Sequence, residues 1–161
     1  DFTYPASSGA NLYRRSLYTF WRRTVIPANM FDASNRQACR VRLAITSTPL
    51  HALTTLNDPT WIEAARLLAE RVTESGTQPS EYLGSAFRRV LCRTPSAWEL
   101  ELLQQALSKQ LAIYQADPTA AQELLSIGST ECRSTAPPEE LAAFTAVCLG
   151  IFNLDEALTR E

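Results

Sequence analysis

The stretch that most limits what this chain can become runs from Asp58 to Gly76. Trp61, Ala64, Ala65, Leu68, Ala69 and Val72 recur there at i, i+3, i+4, i+7, i+8 and i+11. That spacing puts one apolar stripe along a helix and has no counterpart in a strand. Asp58 supplies a cap, Pro59 suits the first helical position, and Gly76 stops the segment.

The same punctuation repeats along the chain. Asn11 caps a helix predicted over 12–25, with Tyr13, Leu17, Phe20, Trp21 and Thr24 on one face. Pro27 ends it. Residues 26–39 form a long connection, and the alternating RVRLAIT of 40–46 reads as extended coil. Thr48-Pro49 starts a short helix to about Leu56, and residues 80–92 give another, with Leu83, Ala86, Phe87, Val90 and Leu91 inward. Ser96 and Glu99 make a capping box for the longest helix, which runs to about Ala116 through Leu100, Leu103, Leu107, Leu111 and Tyr114. Asp117-Pro118 caps a shorter helix, residues 128–136 form a loop, and Pro137-Pro138-Glu139 opens a helix through Leu141, Phe144, Cys148 and Phe152. The expected fold is all-α: a single irregular helical domain over residues 1–161, with about six to eight helices and one long arginine-rich connection.

Charge divides the chain unevenly. Arg14, Arg15, Arg22, Arg23, Arg36, Arg40 and Arg42 face only Asp1 and Asp32 in residues 1–46, while the remainder is acidic and the net charge is −2. Packing of the basic third on acidic helices of its own chain explains this better than nucleic-acid binding does. A helix-turn-helix reader is disfavoured, since the acidic part lacks a basic recognition helix. Lys109 is the only lysine. No apolar run approaches the roughly 18 residues needed to cross a bilayer. The chain opens on Asp1 without an initiator Met and without a signal segment, so it reads as a processed product or a piece of something longer.

Chemistry-bearing residues concentrate between Phe31 and Pro59. His51 is the only histidine, with Cys39, Ser47 and Asp32 near it in sequence, but no nucleophile-elbow pattern accompanies them. A hydrogen-bonded structural histidine is the expectation. Asp32 stands among arginines and is expected to pair with Arg36 or Arg42, stapling the long connection; breaking such a pair when buried costs roughly 3–5 kcal/mol. Thr46 and Thr48 could offer hydroxyls at a helix start to an anion, with arginines completing the pocket. Asp32, Arg36, Arg42, Thr46, Thr48 and Asn57 are thus the candidate ligand-binding residues, with no catalytic residue assigned. One histidine and the absence of any C-x-x-C give no metal site, and no cofactor is expected.

Five strings, YRRSLYTFWRR, FDASNRQACRVR, TSTPLHALTTLNDP, EAARLLAER and NLDEALTRE, resemble planctomycete-specific domain one, a domain of unknown function. It is the C-terminal domain of large exported, cytochrome-c-associated proteins. The resemblance implies that this chain is the C-terminal portion of that domain, with a segment upstream, an extracytoplasmic location, and partners among other domains of the same polypeptide. The family pattern falls on Arg14, Arg15, Phe31, Asp32, Arg36, Cys39, Arg42, Thr46, Thr48, Pro49, Ala52, Leu53, Leu56, Asn57 and Asp58. Ser47 stands where the family commonly has Asn, His51 where it has Gln, and Leu43 and Ile45 where basic residues are common. Export would permit disulfides, with Cys132–Cys148 and Cys92–Cys148 both open. Two functions follow as expectations. The first is a non-catalytic interaction or packing module, docking through its arginine-rich third on a partner domain or an acidic polysaccharide, by an apolar surface around Tyr13 to Trp21. The second is part of an enzyme acting on extracellular polysaccharide, with Asp32, Arg36, Arg42 and Asn57 lining a shared pocket.

Overall fold

A computed structural model describes residues 49–74 and 78–158, together with Gly9 and Asn11. The chain divides into two compact units, residues 1–51 and 52–161. The expected helix over 12–25, the extended 40–46 segment, Pro27 and Gly76 lie outside the described residues.

Among the described residues there are seven helices and no strand, so the all-α class holds. They are α1 (Pro49–Asn57), α2 (Pro59–Thr73), α3 (Pro79–Leu91), α4 (Ala97–Ala116), α5 (Pro118–Ser126), α6 (Pro138–Phe152) and α7 (Asp155–Leu158). Five of them begin on proline, whose missing N–H lies among those a helix leaves unsatisfied at its start. Side chains satisfy several of the others. Asp58 accepts from the Thr60 N–H at 2.8 Å to cap α2, and Asp117 accepts from the Ala120 N–H at 3.2 Å to cap α5. At α4 the box is reciprocal: Ser96 Oγ accepts from the Glu99 N–H, and Glu99 Oε2 from the Ser96 N–H at 2.7 Å. Each such cap is worth about 1 kcal/mol.

The core is organised by α6. Leu141, Ala142, Ala143, Phe144, Thr145, Val147, Cys148, Leu149 and Ile151 are all buried, the signature of a helix surrounded on every side. Its neighbours are chiefly α2, α4 and α5, with α3 packed against α2 and α4. Thr145, the polar exception, donates to the Leu141 carbonyl at 2.8 Å, so its hydroxyl is satisfied inside its own helix. From α2, Ile62, Ala65, Ala69 and Val72 enter this core, and from α3, Leu83, Ala86 and Phe87. Small residues at Ala65, Ala69, Ala86, Ala142 and Ala143, all without exposed surface, permit close approach of these helices. Tyr82 and Phe144 meet at 6.1 Å between ring centroids, and Trp61 meets Phe152 edge-on at 5.9 Å.

The end of α1 is tied to the end of α6. Thr55 is buried, and its hydroxyl lies 2.9 Å from Asn153 Oδ1 and 3.0 Å from the Ala52 carbonyl. One hydroxyl proton serves one of these acceptors at a time.

Two expectations change. The buried side of α2 is wider than the stripe read from periodicity: Ala65, Ala69 and Val72 are buried and Trp61 and Leu68 half-buried against the core as expected, but Ala64 is exposed, and Ile62, Glu63, Arg66 and Glu70 are buried as well. The physical cause is a charged cluster, described below, that occupies the space alongside. The disulfides are also absent, since Cys92, Cys132 and Cys148 are all free thiols. Cys148 is wholly buried in α6, and loss of solvation pushes its thiol far above the ordinary range.

Phe144 joins α6 to α3 at the centre of this arrangement. Phe144→Ala is expected to lower unfolding free energy by about 3–5 kcal/mol, measured by urea denaturation followed by far-UV circular dichroism.

Candidate functional site

Of the six candidate ligand-binding residues, Asp32, Arg36, Arg42, Thr46 and Thr48 lie outside the described residues. Asn57 is exposed at the end of α1, where its Nδ2 donates to the Leu53 carbonyl at 2.7 Å. It therefore serves one of the last carbonyls of its own helix, a capping role that needs no ligand. His51 is half-buried within α1.

Two charged clusters that sequence reasoning missed carry most of the polar geometry. The first lies on α2. Arg66 has no exposed surface, and Glu63 and Glu70 are also buried. These residues are spaced i, i+3 and i+7, on one side of the helix. Arg66 Nη1 donates to Glu70 Oε1 at 2.5 Å, while Nη2 donates to the Thr130 carbonyl at 2.5 Å. Glu63 Oε1 accepts from the Thr130 N–H at 2.8 Å. Both backbone groups of Thr130 are thus held from α2, one by a cation and one by an anion. Burying a guanidinium is tolerable only with such partners. Among the described residues the Nε–H of Arg66 has none.

Gly128 makes this seating possible. Its φ is +114°, and a Cβ there would come within 2.7 Å of the Glu63 carboxyl carbon and 2.8 Å of Glu63 Cβ. Only glycine offers both that backbone angle and that clearance. The spacing E-x-x-R-x-x-x-E was visible in the sequence, but charged residues on a helix ordinarily face water, so nothing marked these as buried.

The second cluster joins the α3–α4 connection to α7. The Arg93 guanidinium makes paired bonds to two carboxylates. Nε and Nη2 donate to Glu156 at 2.8 and 2.7 Å, and Nη1 and Nη2 donate to Glu99 at 3.0 and 2.7 Å. Its carbon also sits 4.8 Å from the centroid of the Phe87 ring. The hydrogen bonds from Arg93, with those from the Ser96 backbone and hydroxyl, hold Glu99 at about 2. Arg93 likewise lowers Glu156, and the Thr119 hydroxyl lowers Asp117.

Two open grooves flank these clusters. One, of about 400 Å³, is lined by residues that include Ser80, Glu81, Ser85, Arg88 and Thr94. The other, of about 460 Å³, follows the loop from Ser126 through Cys132 between α5 and Pro138. Near neutral pH, proton transfer needs a group that titrates close to the working pH. The carboxylates with lowered values stay ionised there, and Arg93 is saturated by its partners. Among the described residues, no group of three or more His, Cys, Asp or Glu could hold a metal ion. What these clusters do is bind one part of the chain to another.

Two outcomes are expected. Arg66→Met should lower stability by about 3–5 kcal/mol, because Glu70 loses its buried cation and the Thr130 carbonyl its donor; chemical denaturation measures this. For the second cluster, Glu99 titrates at about 2 in the folded protein against an ordinary 4.5. A lowered carboxylate contributes stability that is whole above the ordinary value and lost as pH falls through the folded one. Arg93→Met should therefore melt below wild type at neutral pH, with the gap closing between pH 4.5 and about 2, as read by calorimetry across that range.

No curated protein and no solved structure matches this chain. A family model does match, over residues 1–107, which takes in α1, α2, α3 and the first half of α4. Arg66, Glu70, Arg93 and Glu99 lie inside the matched stretch, whereas Thr130 and Glu156 lie beyond it. Covering well over half of its length, that match places the chain in the PSD1 family, described as a protein of unknown function (DUF1553).

Proposed function

We propose that this chain is a non-catalytic helical packing module of an exported multidomain protein. Its arginine-rich residues 1–46 dock on another domain of the same polypeptide, and an acidic polysaccharide is the other anionic surface they suit. The observation that carries this reading is how the described charged clusters are spent. Arg66 and Arg93 each hold two separated parts of the chain together, and Glu99, lowered to about 2, is committed to Arg93 and Ser96. A site for acid–base chemistry would instead keep such a group poised near neutrality.

Membership of a family known only as a protein of unknown function is compatible with such a role. Export rests on the family resemblance of the strings quoted above. No described helix is long and apolar enough to cross a membrane.

The test is reducing-end release from a panel of acidic polysaccharides incubated with the 161-residue chain. The expected result is no release above buffer, for wild type and Asp32→Ala alike. Release that Asp32→Ala abolishes would overturn the module reading in favour of an enzyme acting on extracellular polysaccharide. Fractionation of producing cells with an antibody to the chain tests export, which cytoplasmic recovery of the full-length protein would refute.

A further inference from the structure

Helix α4 carries apolar side chains on two opposite sides, and among the described residues only one of them packs against the fold. At about 100° per residue, Leu100, Leu103 and Leu107 share the side packed against the core. Trp98, Leu102, Gln105, Lys109 and Ile113 share the other. Trp98 is 70% exposed, Leu102 51% and Ile113 55%. An exposed tryptophan at the head of such a stripe is the kind of rigid anchor that dominates interfaces.

We propose that this side of α4 is the interface of a symmetric dimer, in which α4 packs antiparallel against α4 of a second copy about a two-fold axis at Gln105. Three features of the helix select that occupant and that direction. The axis sets Glu101 opposite the second copy's Lys109, and Lys109 opposite the second copy's Glu101, so two ion pairs form. Both residues are exposed in the single chain, and Lys109 is its only lysine. Size also matches. Trp98 falls opposite Ala112, so the largest exposed side chain of the stripe meets a small exposed one. At the axis the two Gln105 side chains meet, and a primary amide can both donate to and accept from its own copy.

A parallel pair is excluded by the same charges, since it would set Glu101 on Glu101 and Lys109 on Lys109. About an axis at Gln105, residues 97–113 of the helix pair with their mates, a stretch about 25 Å long. One helix pair of that length lies toward the small end of specific interfaces, which makes the dimer concentration-dependent.

Sedimentation velocity on the 161-residue chain, from about 1 to 300 µM, tests this. The expected result is a monomer–dimer equilibrium within that range. Trp98→Ala should raise the dissociation constant at least about 10-fold with an unchanged circular dichroism spectrum, because the side chain is exposed. Glu101→Lys and Lys109→Glu should each weaken the dimer, since like charges then meet twice. The double swap should restore it to within about threefold of wild type. A wild-type monomer throughout overturns the proposal and leaves the face to a different partner. So does a dimer indifferent to Trp98→Ala. Charge swaps without effect, or a double swap that fails to restore association, overturn the antiparallel pairing and the proposal with it.

Discussion

A single guanidinium, sealed from water on α2, decides how the loop after α5 meets the rest of the helices. Removing a cation from water is expensive, and the expense is met only where donors find acceptors in fixed places. Arg66 finds one acceptor on its own helix, in Glu70, and one across the fold, in the Thr130 carbonyl. Glu63 completes the grip from the Thr130 N–H side. The loop from Gly128 onward therefore has little freedom to slide along α2, because a shift moves both backbone groups of one residue away from charged partners at once.

That constraint bears on the central helix. The loop pinned by Arg66 leads directly into Pro138, where α6 begins. Helix α6 has no polar side to orient it, being apolar almost throughout, so its position depends on what fixes its ends. At its start stands the anchored loop. At its finish, Asn153 lies within hydrogen-bonding distance of Thr55, and Trp61 packs edge-on against Phe152. An otherwise featureless apolar cylinder is thereby given a direction and a register by polar contacts at its two ends.

Much of this was legible in the sequence and some was not, for separable reasons. Helix starts were plain because proline and the capping residues act locally: Asp58, Ser96 and Asp117 each mark a boundary through bonds within a few residues, and Pro138 through its fixed φ and missing N–H. The inward faces of α3 and α6 were equally readable, since burial there follows apolar character. On α2 periodicity placed Ala65, Ala69 and Val72 correctly but missed exposed Ala64 and buried Arg66, because a charge enters a core only when partners from distant sequence meet it there. On α4 the series Leu100, Leu103, Leu107, Leu111 and Tyr114 read from periodicity is the half-buried side, with Leu100, Leu103 and Leu107 against the core. Five of the six candidate site residues lie outside the described residues, and Asn57 serves the carbonyl end of α1.

The deep burial of Cys148 has a consequence for how this protein could be watched. Cys92 and Cys132 lie at the surface, whereas Cys148 sits within α6 among Leu141, Phe144 and Ile151. A thiol-reactive probe meets the first two immediately, and reaches the third only after the helix has left its neighbours. Its labelling rate is thus a clock for whole-core opening, already present in the natural sequence.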